Sequence, residues 1–177
     1  MIFTPTKLKD AFEIDLKKIG DDRGFFARTF CVEEFKQHGL NTHFVQCNMS
    51  FSADKHTLRG FHYQTGGAEE AKLIRCTRGS ILDVIIDIRP DSPTYCEHIG
   101  VELSEKNHKM LYVPEGFAHS FITLENDTEV TYMVSAMYTP EQERGIRWND
   151  PAFNIQWPTD SPTTSEKDSK WPDFVKK

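Results

Sequence analysis

Short runs of alternating apolar and polar residues fill the middle of the chain. Leu58-Arg59-Gly60-Phe61-His62-Tyr63-Gln64 alternates at the period of a strand. That period puts Arg59, Phe61 and Tyr63 on one face and His62 and Gln64 on the other. Comparable runs predict strands over 44–50, 58–64, 72–77, 80–89, 96–103, 109–113, 119–124 and 129–136. Turn formers punctuate them: Thr65-Gly66-Gly67, Arg78-Gly79, Arg89-Pro90-Asp91-Ser92-Pro93, Pro114-Glu115-Gly116 and Glu125-Asn126-Asp127. Leu82, Val84, Ile86 and Ile88 alternate with Asp83, Ile85 and Asp87, the pattern of a half-buried strand. Only Val32 to His38 reads as a helix, with Gly39 as its stop. So many short strands predict an all-β fold with a few short helices: a sandwich or small barrel, with a jelly roll favoured. From Pro158 onward the chain is polar and proline-punctuated, but Trp171 and Phe174 near its end predict that it folds back onto the body.

Length and charge narrow the classes. The 177 residues are enough for one domain with a substantial core. Acidic residues outnumber basic ones, 27 to 21, for a net charge of -6, so no general nucleic-acid surface is expected. No apolar run is long enough to span a membrane, and Met1 to Lys7 lacks the features of a signal peptide. Cys31, Cys47, Cys76 and Cys96 form no Cys-x-x-Cys pair. They read as free thiols of a cytoplasmic protein rather than a disulfide framework or zinc site.

Several residue types suited to proton transfer fall on the predicted strands. If those strands line one interior, His62, Lys72, Asp83, His119 and Tyr132 share a pocket. His62 as base and Tyr132 as acid suit proton abstraction from a carbon beside a carbonyl, with Lys72 stabilising the enolate. An aspartate is expected behind His62 to fix its tautomer. Arg59 and Lys72 also suit a phosphorylated substrate. The plainer alternatives are a cross-strand tyrosine at 132, a surface lysine at 72 and a solvated aspartate at 83. A metal on His62, His119, Glu69 and Glu70 is the rival chemistry. Metal sites in such barrels usually need histidines at i and i+2 on one strand, and position 64 is Gln, so no metal is expected. His56, His98 and His108 offer no matched spacing. The chain has no Gly-x-Ser-x-Gly, Gly-x-Gly-x-x-Gly or Walker motif, so no bound dinucleotide or other cofactor is implied.

A series of ordered motifs carries a family resemblance. Asp21-Asp22-Arg23-Gly24-Phe25-Phe26, Phe44-Val45-Gln46-Cys47-Asn48 and Leu58 to Gln64 come first. Lys72-Leu73-Ile74-Arg75, Pro114-Glu115-Gly116-Phe117-Ala118-His119 and Glu143-Arg144-Gly145-Ile146-Arg147-Trp148-Asn149-Asp150-Pro151 follow. Together they resemble the dTDP-4-dehydrorhamnose 3,5-epimerase family over nearly the whole chain. The resemblance implies a metal-free, cupin-type jelly roll and a homodimer with exchanged N-terminal strands. It also implies epimerisation of a nucleotide-linked 4-keto-6-deoxy sugar, of the kind built into bacterial surface polysaccharides.

Residue by residue, the resemblance makes His62 the general base, Tyr132 the acid on the opposite face and Lys72 the enolate stabiliser. Asp168, in Ser165-Glu166-Lys167-Asp168, becomes the partner of His62, supplied by a C-terminal segment spanning 159–177. His119 and Asp83 are implied to line the same pocket, and Tyr138 to lie near the sugar. Arg59, Gln46 and Asn48 match nucleotide or diphosphate contacts, while Arg23 and Phe26 match residues that hold the base from a partner subunit. Two departures stand out. Arg28 occupies a position where the family commonly has a glutamate that contacts the base; arginine can only donate, which suits a cytosine-type acceptor and a CDP-linked substrate. Thr65 to Ala71 replaces a loop that usually carries prolines and then Gln-Gly before the lysine. The competing expectations are a related cupin sugar ketoisomerase and a nucleotide-sugar-binding jelly roll without catalysis.

Overall fold

Each of the predicted strand runs forms a strand in the computed structural model, which describes residues 1–176. Lys177, the last position of the predicted 159–177 segment, lies outside the described residues. In chain order the strands are β1 (Ile2–Pro5), β2 (Phe12–Asp15), β3 (Ile19–Asp21), β4 (Gly24–Phe26), β5 (Gln46–Ser52), β6 (Leu58–Gln64) and β7 (Lys72–Arg78). They continue with β8 (Ser80–Asp87), β9 (His98–Ser104), β10 (Met110–Val113), β11 (Phe117–Thr123), β12 (Thr128–Val134) and β13 (Glu143–Gly145). Among the described residues two short α-helices accompany them, α1 (Val32–Gln37) and α2 (Glu166–Ser169), with a 3-10 turn at Pro140–Gln142. Gly39 follows α1 at φ +70°, the left-handed stop its sequence predicts. No helix among the described residues is long and apolar enough to cross a membrane.

Two antiparallel sheets make the jelly roll. One has the order β1-β2-β10-β7-β12-β5, the other β13-β6-β11-β8-β9, and β3 and β4 form a separate hairpin. The main core lies between the sheets, where Ile74, Leu111 and Val130 meet Ile81, Ile85, Leu103 and Phe121. A second cluster seats Phe35 of α1 on Ile14, Leu73 and Met110 of the first sheet. A third covers the outside of the second sheet, where Phe61, Val84, Ile86 and Ala118 receive Ile146, Phe153 and Phe174. Residues 146–157 make most of that cover, and Phe174 of the C-terminal segment packs against it.

That cover corrects the reading of β8 as half buried. Ile81, Asp83 and Ile85 face the inter-sheet core while Val84 and Ile86 face the cover formed by residues 146–157 and Phe174, so both faces are dry. Asp83 is correspondingly 0% exposed rather than solvated. Asp87 at the end of β8 is buried too. It accepts hydrogen bonds from the Arg89 side chain, Ser92 and Thr94, which satisfy a charge that could not otherwise stay dry.

The simple alternation along β6 also fails, for a local reason. His119 of β11 pairs with His62, whereas Ser120 pairs with Gly60, so β6 carries one extra residue. Phe61 goes outward into the third cluster, and Arg59 and His62 end up lining the same pocket instead of opposite faces. Gly60 makes the bulge possible. Its φ is +110°, and a Cβ there would stand 2.5 Å from the His119 carbonyl oxygen and 2.8 Å from Ser120 Cα. Backbone cannot yield as a flexible side chain would. Gly60→Ala is expected to destabilise the fold by about 2–4 kcal/mol, read as a lowered midpoint in chemical denaturation. An unchanged midpoint would show that the bulge relaxes.

Candidate active site

The site begins at the β6 bulge. The Gly60 N–H points at the C-terminal segment and donates to Asp168 Oδ2 at 3.2 Å. Asp168 sits in α2, which Ser165 caps by accepting from the Asp168 N–H at 3.0 Å. The segment before α2 is stitched to β6 by a parallel bridge from Thr163 to Thr57, with Leu58 N–H donating to the Thr163 carbonyl. After α2, Trp171 lies against Gly145, where a Cβ would come within 2.2 Å of the indole, and the Phe174 N–H donates to Asp150. Lys167 pairs with Glu143 at 2.5 Å. These contacts bring the Asp168 carboxylate to His62, with Oδ1 at 2.6 Å from Nε2.

The charges follow from that placement. Burial alone would raise the Asp168 carboxyl, but the His62 bond, the charge beside it and the Gly60 N–H outweigh burial and hold it below its ordinary value. With Nε2–H donating to the carboxylate, the lone pair of a neutral His62 is on Nδ1. Two connected cavities, of about 480 and 400 Å³, share His62, Lys72 and Tyr132 in their walls. His62 comes from the second sheet and Lys72 and Tyr132 from the first, so they reach the cavity from opposite walls of the sandwich. Lys72 is buried, not a surface lysine, and pairs with Glu70 at 3.1 Å. Tyr132 does pack on the core, as a cross-strand tyrosine would, yet it also faces both cavities. Burial first, then the charge of Glu70, raise its phenol, with Arg59 opposing them.

The other predicted residues divide. Arg59 lines the larger cavity and reaches across to β5, where its guanidinium donates to the Phe51 carbonyl and to Ser52 Oγ. Gln46, Asn48 and Tyr138 line the smaller one, with Gln46 Oε1 accepting from the Tyr138 N–H. His119 lines the larger cavity, but Asp83 does not line either. It stands behind His119, with Oδ2 at 3.0 Å from Nε2 and its other oxygen unpaired. Arg23, Phe26 and Arg28 stand apart from these cavities. Arg23 and Phe26 are on the exposed β3–β4 hairpin, and Arg28 follows it, 3.8 Å from Glu34. The rival metal set is not assembled. Glu70 holds Lys72, His119 holds Asp83, and Glu69 lines a separate open groove of about 1090 Å³ beside residues 5–12 that contains none of the candidate catalytic or substrate-binding residues. Among the described residues no three His, Cys, Asp or Glu side chains are grouped to hold a metal.

Sequence reasoning missed Glu143 and Lys167 as pocket residues, and it named Glu70 only as a rival metal ligand, not as the partner of Lys72. Glu143 accepts from both Lys167 and the Tyr138 hydroxyl, at 2.5 and 2.8 Å. Its carboxyl is raised by burial but brought below its ordinary value by Lys167 and Tyr138. Glu143 and Lys167 stood inside quoted motifs, so their signal was position beside a named residue; Glu70 had only its spacing of two from Lys72.

A sequence profile described as dTDP-4-dehydrorhamnose 3,5-epimerase matches residues 5–176. The chain belongs to the dTDP-4-dehydrorhamnose 3,5-epimerase family. A member from Sinorhizobium fredii is 42% identical over 173 residues, covering 97% of this chain and 89% of its own. The crystal structure of a Bacillus anthracis dTDP-4-dehydrorhamnose 3,5-epimerase, with TDP and pyrophosphate bound, superimposes with a TM-score of 0.94 at 40% identity. It covers 98% of this chain and 99% of that one. A 3'-monoepimerase from Streptomyces bikiniensis, in complex with dTDP-quinovose, gives a TM-score of 0.88 at 30% identity, covering 96% and 86%. Proteins described as acting at two centres and at one thus share this fold.

The dyad has a testable acid response. Asp168 has a lowered folded-state pKa, so its stabilisation is complete above the unfolded value of about 3.9 and is lost as pH falls through the folded one. The stability gap between wild type and Asp168→Asn is therefore expected to stay level from about pH 7 to 5 and to close below about 4. Denaturant titrations at several pH values measure it, and a gap that persists in acid would place the stabilisation elsewhere.

Proposed function

We propose that this chain epimerises a nucleotide-diphosphate-linked 4-keto-6-deoxyhexose at C3, C5 or both. The carrying observation is the Asp168–His62 pair on one wall of a cavity whose opposite wall presents Tyr132 and Lys72. The 4-keto group acidifies the protons on C3 and C5. His62 takes one through Nδ1, and Asp168 steadies the imidazolium that forms. The electrons move onto the ketone oxygen, where the Lys72 ammonium stabilises the enolate. Tyr132 then protonates the same carbon from the other face, inverting it; a phenol whose pKa is raised is protonated when that step needs it. Nothing is oxidised or reduced overall. A ketoisomerase would need no donor on the opposite wall, and a binding module would need neither dyad nor phenol.

Arg59 supplies a cationic wall for the diphosphate in an otherwise acidic protein. We read the protein as a cytoplasmic homodimer. Four unpaired cysteines suit a reducing compartment, and the exposed Ile19, Phe25 and Phe26 of the β3–β4 hairpin suit an apolar contact on a second copy's nucleobase. Arg28 beside that hairpin favours a base with an acceptor at N3, so cytosine over thymine.

In D2O, proton NMR of the 4-keto-6-deoxyglucose nucleotide is expected to lose the H3 or H5 signal, or both. His62→Ala is expected to slow that exchange by about 10²–10⁴-fold while nucleotide binding is kept. If neither signal exchanges with a dTDP- or CDP-linked donor, the proposed activity is wrong. The wild type should turn over the CDP-linked sugar faster than the dTDP-linked one, and Arg28→Glu should reverse the order. Equal rates for both donors in the wild type would remove the base-selecting role of Arg28.

A further inference from the structure

We propose that Glu70 is a positioning residue of this site, holding the Lys72 ammonium in place through a nearly dry ion pair and setting the charge that Tyr132 meets. The proposal deepens the reading of Lys72 as enolate stabiliser and rests on it. Glu70 lies within the loop, residues 65–71, that joins β6 to β7. Its Oε1 is 3.1 Å from Lys72 Nζ, and the two side chains are only 12% and 9% exposed. An ammonium on a flexible stem has many rotamers, and a fixed counter-ion in a dry pocket selects one.

The carboxylate is itself fixed. Its Oε2 accepts from Gln64 Nε2 at 2.7 Å. The same amide nitrogen donates toward the Ala68 and Met137 carbonyls, and Gln64 Oε1 accepts from the Thr139 N–H at 2.6 Å. Gln64 is 4% exposed, so the amide is a buried hub joining the 65–71 loop to the 137–139 segment. Ser135 completes the clamp by accepting from the Ala71 N–H at 2.8 Å. Glu70 therefore hangs from two segments at once, and Lys72 hangs from Glu70.

Glu70 also shapes proton transfer. It lines the smaller cavity with Tyr132, and its negative charge adds to burial in raising that phenol. The other charged or titratable groups around Tyr132 among the described residues are Arg59, His62 and Tyr63 on β6, Lys72 on β7, His119 on β11 and Tyr138 of the 137–139 segment. Glu143 on β13 and Lys167 with Asp168 on the C-terminal segment also line these cavities. Of these, only Arg59 opposes the shift. Removing the Glu70 charge leaves Arg59 acting on the phenol without that anion to oppose it, so the Tyr132 titration moves to lower pH.

The test compares wild type, Glu70→Gln and Glu70→Asp, each titrated for phenolate absorbance against its own Tyr132→Phe counterpart. In Glu70→Gln the Tyr132 titration and the basic limb of the kcat profile are both expected to move to lower pH. Its kcat is expected to fall about ten- to a hundredfold with KM nearly unchanged. Glu70→Asp keeps the charge but cannot span Gln64 and Lys72 together. It is expected to restore most of the titration and little of the rate, and it carries the test if Glu70→Gln does not fold. An unmoved Tyr132 titration in Glu70→Gln, or a kcat within about twofold of wild type in both variants, overturns the proposal. The titration needs no turnover: if it moves in a protein inactive on every 4-keto sugar, the coupling stands and the functional reading is what fails.

Discussion

The contact between Asp168 and His62 joins residues 106 positions apart, and most of the molecule's less obvious features serve to make it. A carboxylate placed against an imidazole in a half-dry site holds its geometry only if neither partner can swing away. His62 is held by pairing on both sides, with His119 of β11 and Gly145 of β13. Asp168 is held by the Ser165 cap, the Gly60 N–H and the segment's own anchors at Thr163, Trp171 and Phe174. The bulge at Gly60 serves both partners. It frees an N–H for the carboxylate and turns His62 inward, and a side chain at that position would collide with the strand that carries His119.

The stitching shows why a tail that reads as polar and frayed is ordered. Its apolar residues are few, but each meets a prepared surface: Trp171 the bare backbone of Gly145, Phe174 the outer face of the second sheet. Closing so long a loop costs little more entropy than closing one half its length, because the cost rises only with the logarithm of length. A handful of good contacts can therefore hold the segment. The arrangement also makes the dyad conditional on folding of the whole chain, since its two halves lie on the last segment and on a central strand.

Much of this architecture was legible in the residues. Strands with strong alternation and flanking turn formers, such as β6, β7 and β12, appeared where expected, because period and punctuation agree there. The short β1, β2 and β13 did not, since three or four residues carry too little periodicity to register. Burial of β8 on both faces was hidden because one face is covered by residues far along the chain. The bulge was hidden because one added residue leaves the apolar count of β6 unchanged while reversing part of its facing. Side-chain types at the site were visible; their meeting was not. Asp83 shows the limit, since sequence placed it either in solvent or in the pocket wall, and it stands in a second layer behind His119.

The sandwich separates two aspects of the chemistry. In the proposed reaction, which face of a carbon gains or loses its proton would be set by the sheets, since His62 stands on one wall and Tyr132 on the other, and neither can cross a packed core. Which carbon is presented depends on how the ring lies between those walls. The groups that border that space, Glu70 and Tyr138 among them, sit on the 65–71 loop and the 137–139 segment, both of which meet at Gln64. Sheets resist change because moving a strand breaks a ladder of bonds, whereas loops vary freely. On that reading an enzyme built this way keeps its stereochemical course fixed while the number of centres it inverts can vary, which accords with proteins of this fold described as acting at one centre and at two.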